Sequence, residues 1–271
     1  MNWGEMTRAA RDAAYNNGAA VANSAALNQE RREASAAFRA AHGGALDLPY
    51  GSGERHKWDL YPAADSAAPC LVFVHGGYWQ MNSREDFACL AEGVAAHGWS
   101  VALPGYTLAP DASLTTIAGE IRTALDWLKD KGPGYGIAGR VVLSGWSAGG
   151  HLAALALDHP LVAAGLAVSG IYELGPLRDT YINDKLKLTD DEIGALSPLR
   201  LPVVQKPLAI AYGSREVAAL VDDGRALHAR RAAAHAPGAL IPVAGADHFT
   251  IFSELRSPHG ALVRQALALV P

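Results

Sequence analysis

Short continuous apolar runs recur along the chain, separated by longer stretches in which apolar residues return every three or four positions. The runs are KWDLY (57–61), CLVFV (70–74), SVALP (100–104), VVLSG (141–145), LAVSG (166–170), PLAIAY (207–212) and ALIPV (239–243). A strand that is apolar at successive positions has both faces covered, as in a parallel sheet lying between helices. Helical patterns occupy about 84–97, 115–131, 148–158, 223–235 and 259–269. Strands alternating with helices imply right-handed crossovers and an α/β fold: a three-layer α/β/α sandwich around a mostly parallel sheet.

Two segments break the alternation. Residues 1–42 are Ala-rich and free of proline, and read as one or two helices broken near Asn16-Asn17-Gly18, an N-terminal helical cap segment. Residues 171–200 are more charged, carry two internal prolines and read as a cap excursion above the sheet. With 271 residues, no internal repeat and no low-complexity linker, the chain 1–271 reads as a single domain.

Composition narrows the function. Half of the residues are hydrophobic and 18% are charged, a balance that suits a globular enzyme. A net charge of −4 without any run of Lys or Arg removes the electrostatic footprint of a nucleic-acid binder. No stretch approaches the roughly 20 apolar residues that cross a bilayer, so no membrane partner is expected. Cys70 opens an apolar run and Cys89 lies in a helical pattern, so both read as buried free thiols. Together with a polar-interrupted N-terminus unlike a signal peptide, they point to a reducing, cytoplasmic setting. There is no H-E-x-x-H, paired CxxC, Asp-rich loop or G-x-G-x-x-G in the first βα turn, so neither a metal nor a cofactor is expected. The expected partner is a small-molecule substrate, and a homodimer is left open.

The chemistry concentrates in two motifs. GWSAGG (145–150) follows an apolar strand and opens a helix, the context in which G-x-S-x-G forms a nucleophile elbow. Gly145 and Gly149 would let neighbouring backbone approach Ser147 closely. HGGYW (75–79) follows the strand 70–74, where an α/β-hydrolase carries the loop whose amides stabilise an oxyanion. A base and an acid should follow the serine in the order carboxylate, then His. His248, in GADHF after the strand-like 239–243, is the candidate base; His75 and His151 sit inside the motifs, where structural roles are expected. Glu216, just past the end of 207–212, leads as the acid, with Asp222 and Asp223 as alternatives that also read as N-terminal acids of the next helix. Asp247 is adjacent to His248 in sequence, which rarely gives the facing geometry that a triad requires.

Together with YNN (15–17) and SGIYELGPL (169–177), HGGYW, GWSAGGHL and DHF resemble the kynurenine formamidase (arylformamidase) branch of the α/β-hydrolases, close to the hormone-sensitive-lipase-like esterases. The resemblance spans most of the chain and implies Ser147 as nucleophile, His248 as base, Glu216 as acid, and the amides of Gly77, Tyr78 and Ala148 as oxyanion donors. Trp146 stands where a histidine is common in that family, and the acid is glutamate where some relatives have aspartate. The expected activity is hydrolysis of small aryl formamides through an acyl-enzyme. Tyr78, Trp79 and Trp146 would be aromatic walls for a planar leaving group. The alternatives are a short-chain carboxylesterase and a non-catalytic binding protein on a hydrolase scaffold.

Overall fold

The computed structural model describes residues 3–270. Eight strands form one sheet: β1 (Ala45–Pro49), β2 (Lys57–Tyr61), β3 (Cys70–Val74), β4 (Ser100–Pro104), β5 (Val141–Trp146), β6 (Val162–Val168), β7 (Leu208–Gly213) and β8 (Leu240–Val243). Their order is β1-β2-β4-β3-β5-β6-β7-β8. The pairs β1–β2 and β2–β4 are antiparallel; the others are parallel. The helices are α1 (Arg8–Tyr15), α2 (Asn17–Ala20), α3 (Ser24–Ala41), α4 (Ala91–Ala95), α5 (Leu114–Lys131), α6 (Ala148–Leu155), α7 (Asn183–Leu186), α8 (Asp190–Leu196), α9 (Ala218–Ala233), α10 (Ser253–Arg256) and α11 (Ala261–Leu269).

Every residue of β3, β4 and β5 is buried, as their uninterrupted apolar runs require. Alternate side chains feed two cores. Cys70, Val72 and Val74 pack with Ile117 and Leu125 of α5 and Leu152 of α6, whereas Leu71 and Phe73 pack with Phe38 of α3, Val94 of α4 and Leu262 of α11. The three layers expected from the sequence are therefore present. None of the helices among the described residues is long and apolar enough to cross a membrane.

The departures from expectation are local. β1 carries no apolar run because it is a half-exposed edge strand. The helix expected over 84–97 is a 3₁₀ segment, Arg84–Leu90, followed by the five-residue α4. Its backbone is engaged from outside: the Asp86 carbonyl accepts from Arg31 Nε (3.0 Å) and Ser35 Oγ (2.9 Å) on α3, and the Cys89 amide donates to Ser35 Oγ (3.2 Å). Side chains of α3 thus take up groups that an α-helical ladder would use. β6 starts four residues earlier than the LAVSG run, at Val162, because its alanines pack flat in the sheet without announcing a strand.

The N-terminal helices and the excursion meet over the carboxyl ends of the strands. Arg11 and Arg8 pair with Asp179 (2.5 Å) and Asp184 (3.0 Å), and the Tyr181 amide donates to Asp12 (2.7 Å). The excursion is fastened below by Asp223. This residue does not open a helix as expected, since α9 begins five positions earlier at Ala218. Its carboxylate instead accepts from the amides of Tyr172 (2.6 Å) and Glu173 (3.1 Å). Burial pushes the Asp223 carboxyl up to about 7, against the two amide bonds that favour its charged form.

A carboxyl raised in the folded state binds a proton that the unfolded chain has already released. Its stabilising contribution is complete below about pH 4, the range of an unperturbed Asp, and is lost as pH rises through about 7. The melting temperature of Asp223→Asn, which stays neutral, should therefore gain on that of the wild type between pH 5 and pH 8. A constant offset between the two proteins across that range would refute the assignment.

Candidate active site

Ser147 joins β5 to α6 with φ 58° and ψ −120°, a conformation that costs a residue with a side chain about 1–3 kcal/mol. The surroundings enforce it. The Ser147 amide donates to the Val168 carbonyl of β6 (2.8 Å), and α6 turns away at the next residue. A Cβ on Gly149 would lie 2.0 Å from the Val74 carbonyl oxygen, and one on Gly76 would lie 2.5 Å from that of Trp146. Only glycine at these two positions lets α6 and the HGGYW loop press against the serine from either side.

The loop itself runs through three consecutive positive φ values, 119° at Gly77, 51° at Tyr78 and 58° at Trp79. It is closed by the amides of Gln80 (2.9 Å) and Met81 (3.1 Å), which donate to the Gly77 carbonyl, and by Asn82 Nδ2, which donates to the Gly76 carbonyl (3.1 Å). Gly77 and Tyr78 border the same cavity as Ser147. Ala148 is the first residue of α6, where an amide has no acceptor within its own helix.

His248 and Glu216 arrive from loops after β8 and β7. His248 Nε2 lies 3.2 Å from Ser147 Oγ, and Nδ1 lies 3.4 Å from Glu216 Oε2. The Glu216 side chain is fully buried; its Oε1 accepts from Ser169 Oγ (2.5 Å) and the Gly213 amide (2.9 Å). The carboxylate that meets His248 is thus that of Glu216. Asp223 is committed to the excursion, and Asp247 Oδ1 accepts from the amides of Phe249 and Thr250, both at 2.9 Å.

The three aromatics have separate fates. Tyr78 and Trp146 border the cavity. Trp79, expected as a third wall, is fully buried beneath the loop, with its ring edge-on to His151 at 5.1 Å. The positive φ at Tyr78 and Trp79 turns the two successive side chains apart, one to the cavity and one to the core. The Trp146 ring also packs at a tilt against His248, 4.7 Å between centroids, and its Nε1 donates to the His248 carbonyl (2.9 Å). Behind it the Arg31 guanidinium lies 4.0 Å over the Phe87 ring, and burial lowers its pKa to about 10. His75 and His151 are buried and hydrogen-bonded to the carbonyls of Gly76 (3.0 Å) and Leu196 (2.7 Å). Burial lowers their pKa to about 3 and about 4, so both stay neutral as structural groups.

The cavity holds about 360 Å³. Asn16, Asn17 and Asn28 of the N-terminal segment and Tyr181 and Ile182 of the excursion complete its wall. Among the described residues the lining includes no Lys, Arg, Asp or Glu. The sequence marked Asn16 and Asn17 only as a helix break and as part of the YNN triplet, and nothing in it marked Asn28. No group of three or more His, Cys, Asp or Glu among the described residues could hold a metal ion.

A strained serine at a strand-to-helix turn, with a histidine and a carboxylate supplied by later loops, defines the chain as a hydrolase of the α/β-hydrolase fold. The BD-FAE family model matches residues 59–158. The kynurenine formamidase of Danio rerio is 28% identical, over 83% of this chain and 81% of its own length. That of Salmo salar is 34% identical, over 58% of this chain and 55% of its own length. A solved structure from Silicibacter sp., provisionally described as a thioesterase, superposes with a TM-score of 0.84 at 30% identity, covering 93% of this chain and 97% of that one. The chain belongs to the kynurenine formamidase and hormone-sensitive-lipase-like esterase branch of the α/β-hydrolases.

The two donors on Glu216 Oε1 make a sharp prediction. In Glu216→Gln the Gly213 amide, which can only donate, keeps the carboxamide oxygen, so the NH₂ turns toward His248 Nδ1 and imposes the wrong tautomer. Steady-state kinetics should show kcat reduced by about 10³- to 10⁴-fold with the fold intact. A loss below about tenfold would rule out Glu216 as the carboxylate that orients His248.

Proposed function

We propose that the protein hydrolyses small aryl formamides through a formyl-enzyme on Ser147. The observation that carries this reading is the continuous line from Ser147 Oγ through both nitrogens of His248 to the buried Glu216 carboxylate. Ser147 Oγ attacks the formyl carbon while His248 Nε2 takes its proton. The amides of Gly77, Tyr78 and Ala148 receive the charge that develops on the carbonyl oxygen, each such donor being worth about 2.7–4 kcal/mol. His248 then delivers the proton to the departing nitrogen, and water, activated by the same imidazole, releases formate. Glu216 holds Nδ1–H throughout and stabilises the imidazolium.

The cavity and the relatives together support this substrate class. About 360 Å³ accommodates a single ring with a short acyl group, and Tyr78, Trp146 and Phe249 offer flat or apolar surface to the ring. An aniline nitrogen leaves more readily than an alkyl amine, which brings formanilides within reach of chemistry also suited to esters. Two relatives are named kynurenine formamidase, which supports the formyl reading.

Ser147→Ala should lower kcat by about 10⁴-fold or more and abolish labelling by a fluorophosphonate probe, with an unchanged circular dichroism spectrum. Retention of a tenth of the activity would sink the mechanism. Among substrates, kcat/KM should rank N-formylkynurenine above phenyl acetate and phenyl acetate above p-nitrophenyl octanoate. If the octanoate ranks first, the site is a carboxylesterase with room for an acyl chain.

A further inference from the structure

Asn17 is 3% exposed, sits in the wall of the Ser147 cavity, and has a carboxamide oxygen without a hydrogen-bond partner. The identity of that atom follows from its neighbours. The Tyr78 hydroxyl donates to the Tyr15 carbonyl, and a carbonyl has no proton to give in return, so the single hydroxyl proton lies on that side. Toward Asn17, at 2.8 Å, the same hydroxyl can only accept. The amide therefore presents its NH₂ to Tyr78, which fixes Oδ1 as the group left over. A chain of donors from Asn17 to Tyr78 to Tyr15 thus orients an acceptor and leaves it unsatisfied. The comparable oxygen of Asn28 is already taken by the Arg31 guanidinium (2.8 Å).

A buried acceptor without a donor is rare in native proteins and marks a place where a partner is missing. We propose that Asn17 Oδ1 is a specificity-determining acceptor for the N–H of the leaving group, so that the cavity favours anilides over esters of the same shape. The inference rests on the reading of this cavity as the substrate site. An anilide offers Oδ1 a proton. An aryl ester places an oxygen lone pair in the same position, leaving Oδ1 unpaired and adding repulsion. A site built around a donor discriminates strongly against the analogue that lacks it, because its own polar group is then stranded.

The test uses acetanilide and phenyl acetate, which differ only in N–H against O, and measures their Kd by calorimetry on full-length Ser147→Ala. Acetanilide should bind about ten- to hundredfold more tightly. Adding Asn17→Ala should bring the ratio to within about twofold of one, whereas Asn17→Asp, which retains an acceptor, should keep the preference. A ratio near one in Ser147→Ala alone overturns the proposal without any change at Asn17, and so does a preference that survives Asn17→Ala. Binding is read without turnover. Failure of the wild type to cleave formanilides would therefore count against the proposed activity and leave this result standing.

Discussion

The site depends on backbone meeting backbone at the carboxyl ends of β3 and β5. α6 approaches the Val74 carbonyl so closely that no side chain fits at Gly149, and the HGGYW loop approaches the Trp146 carbonyl so closely that none fits at Gly76. Contact at that range fixes where the first turn of α6 begins and where the loop amides lie relative to Ser147. The strain at Ser147 and along Gly77-Tyr78-Trp79 persists because sheet bonding on one side and loop bonding on the other leave no relaxed alternative.

This explains which parts were legible in the sequence. The elbow and the loop are encoded locally, by glycines and a serine at the junction of an apolar run and a helix, so five or six residues suffice to specify them. Glu216 and His248 were readable because each follows a strand with a continuous apolar run within a few residues, buried in β7 and half-exposed in β8. The segments that misled take their conformation from distant partners. The 3₁₀ stretch Arg84–Leu90 is shaped by Arg31 and Ser35, which lie more than fifty positions away. Asp223 looked like a helix-opening acid and serves the amides of Tyr172 and Glu173 instead. Trp79 looked like its neighbour Tyr78, but the sequence does not reveal that a left-handed turn sends the two to opposite sides.

The N-terminal segment illustrates the same limit at larger scale. Its helices and the break at Asn16-Asn17 are readable from composition, but their place over the cavity is set by ion pairs and hydrogen bonds to the excursion, from Arg8, Arg11 and Asp12 to residues near 180. The sheet and its elbow are common to many hydrolases; these two segments complete the wall of the cavity above them. Differences in substrate among relatives with one fold are therefore expected to reside there.

Trp146 ties Ser147 to His248. Its backbone immediately precedes Ser147, while its indole both packs at a tilt against the His248 ring and donates to the His248 carbonyl. The indole is a strut of fixed length between the strand that leads into Ser147 and the loop that carries His248. The position of His248 is thereby gauged from the residue beside the serine. Displacements of the loop after β8 need not accumulate as error at the Oγ–Nε2 gap, because a rigid side chain holds that loop from the residue next to the serine.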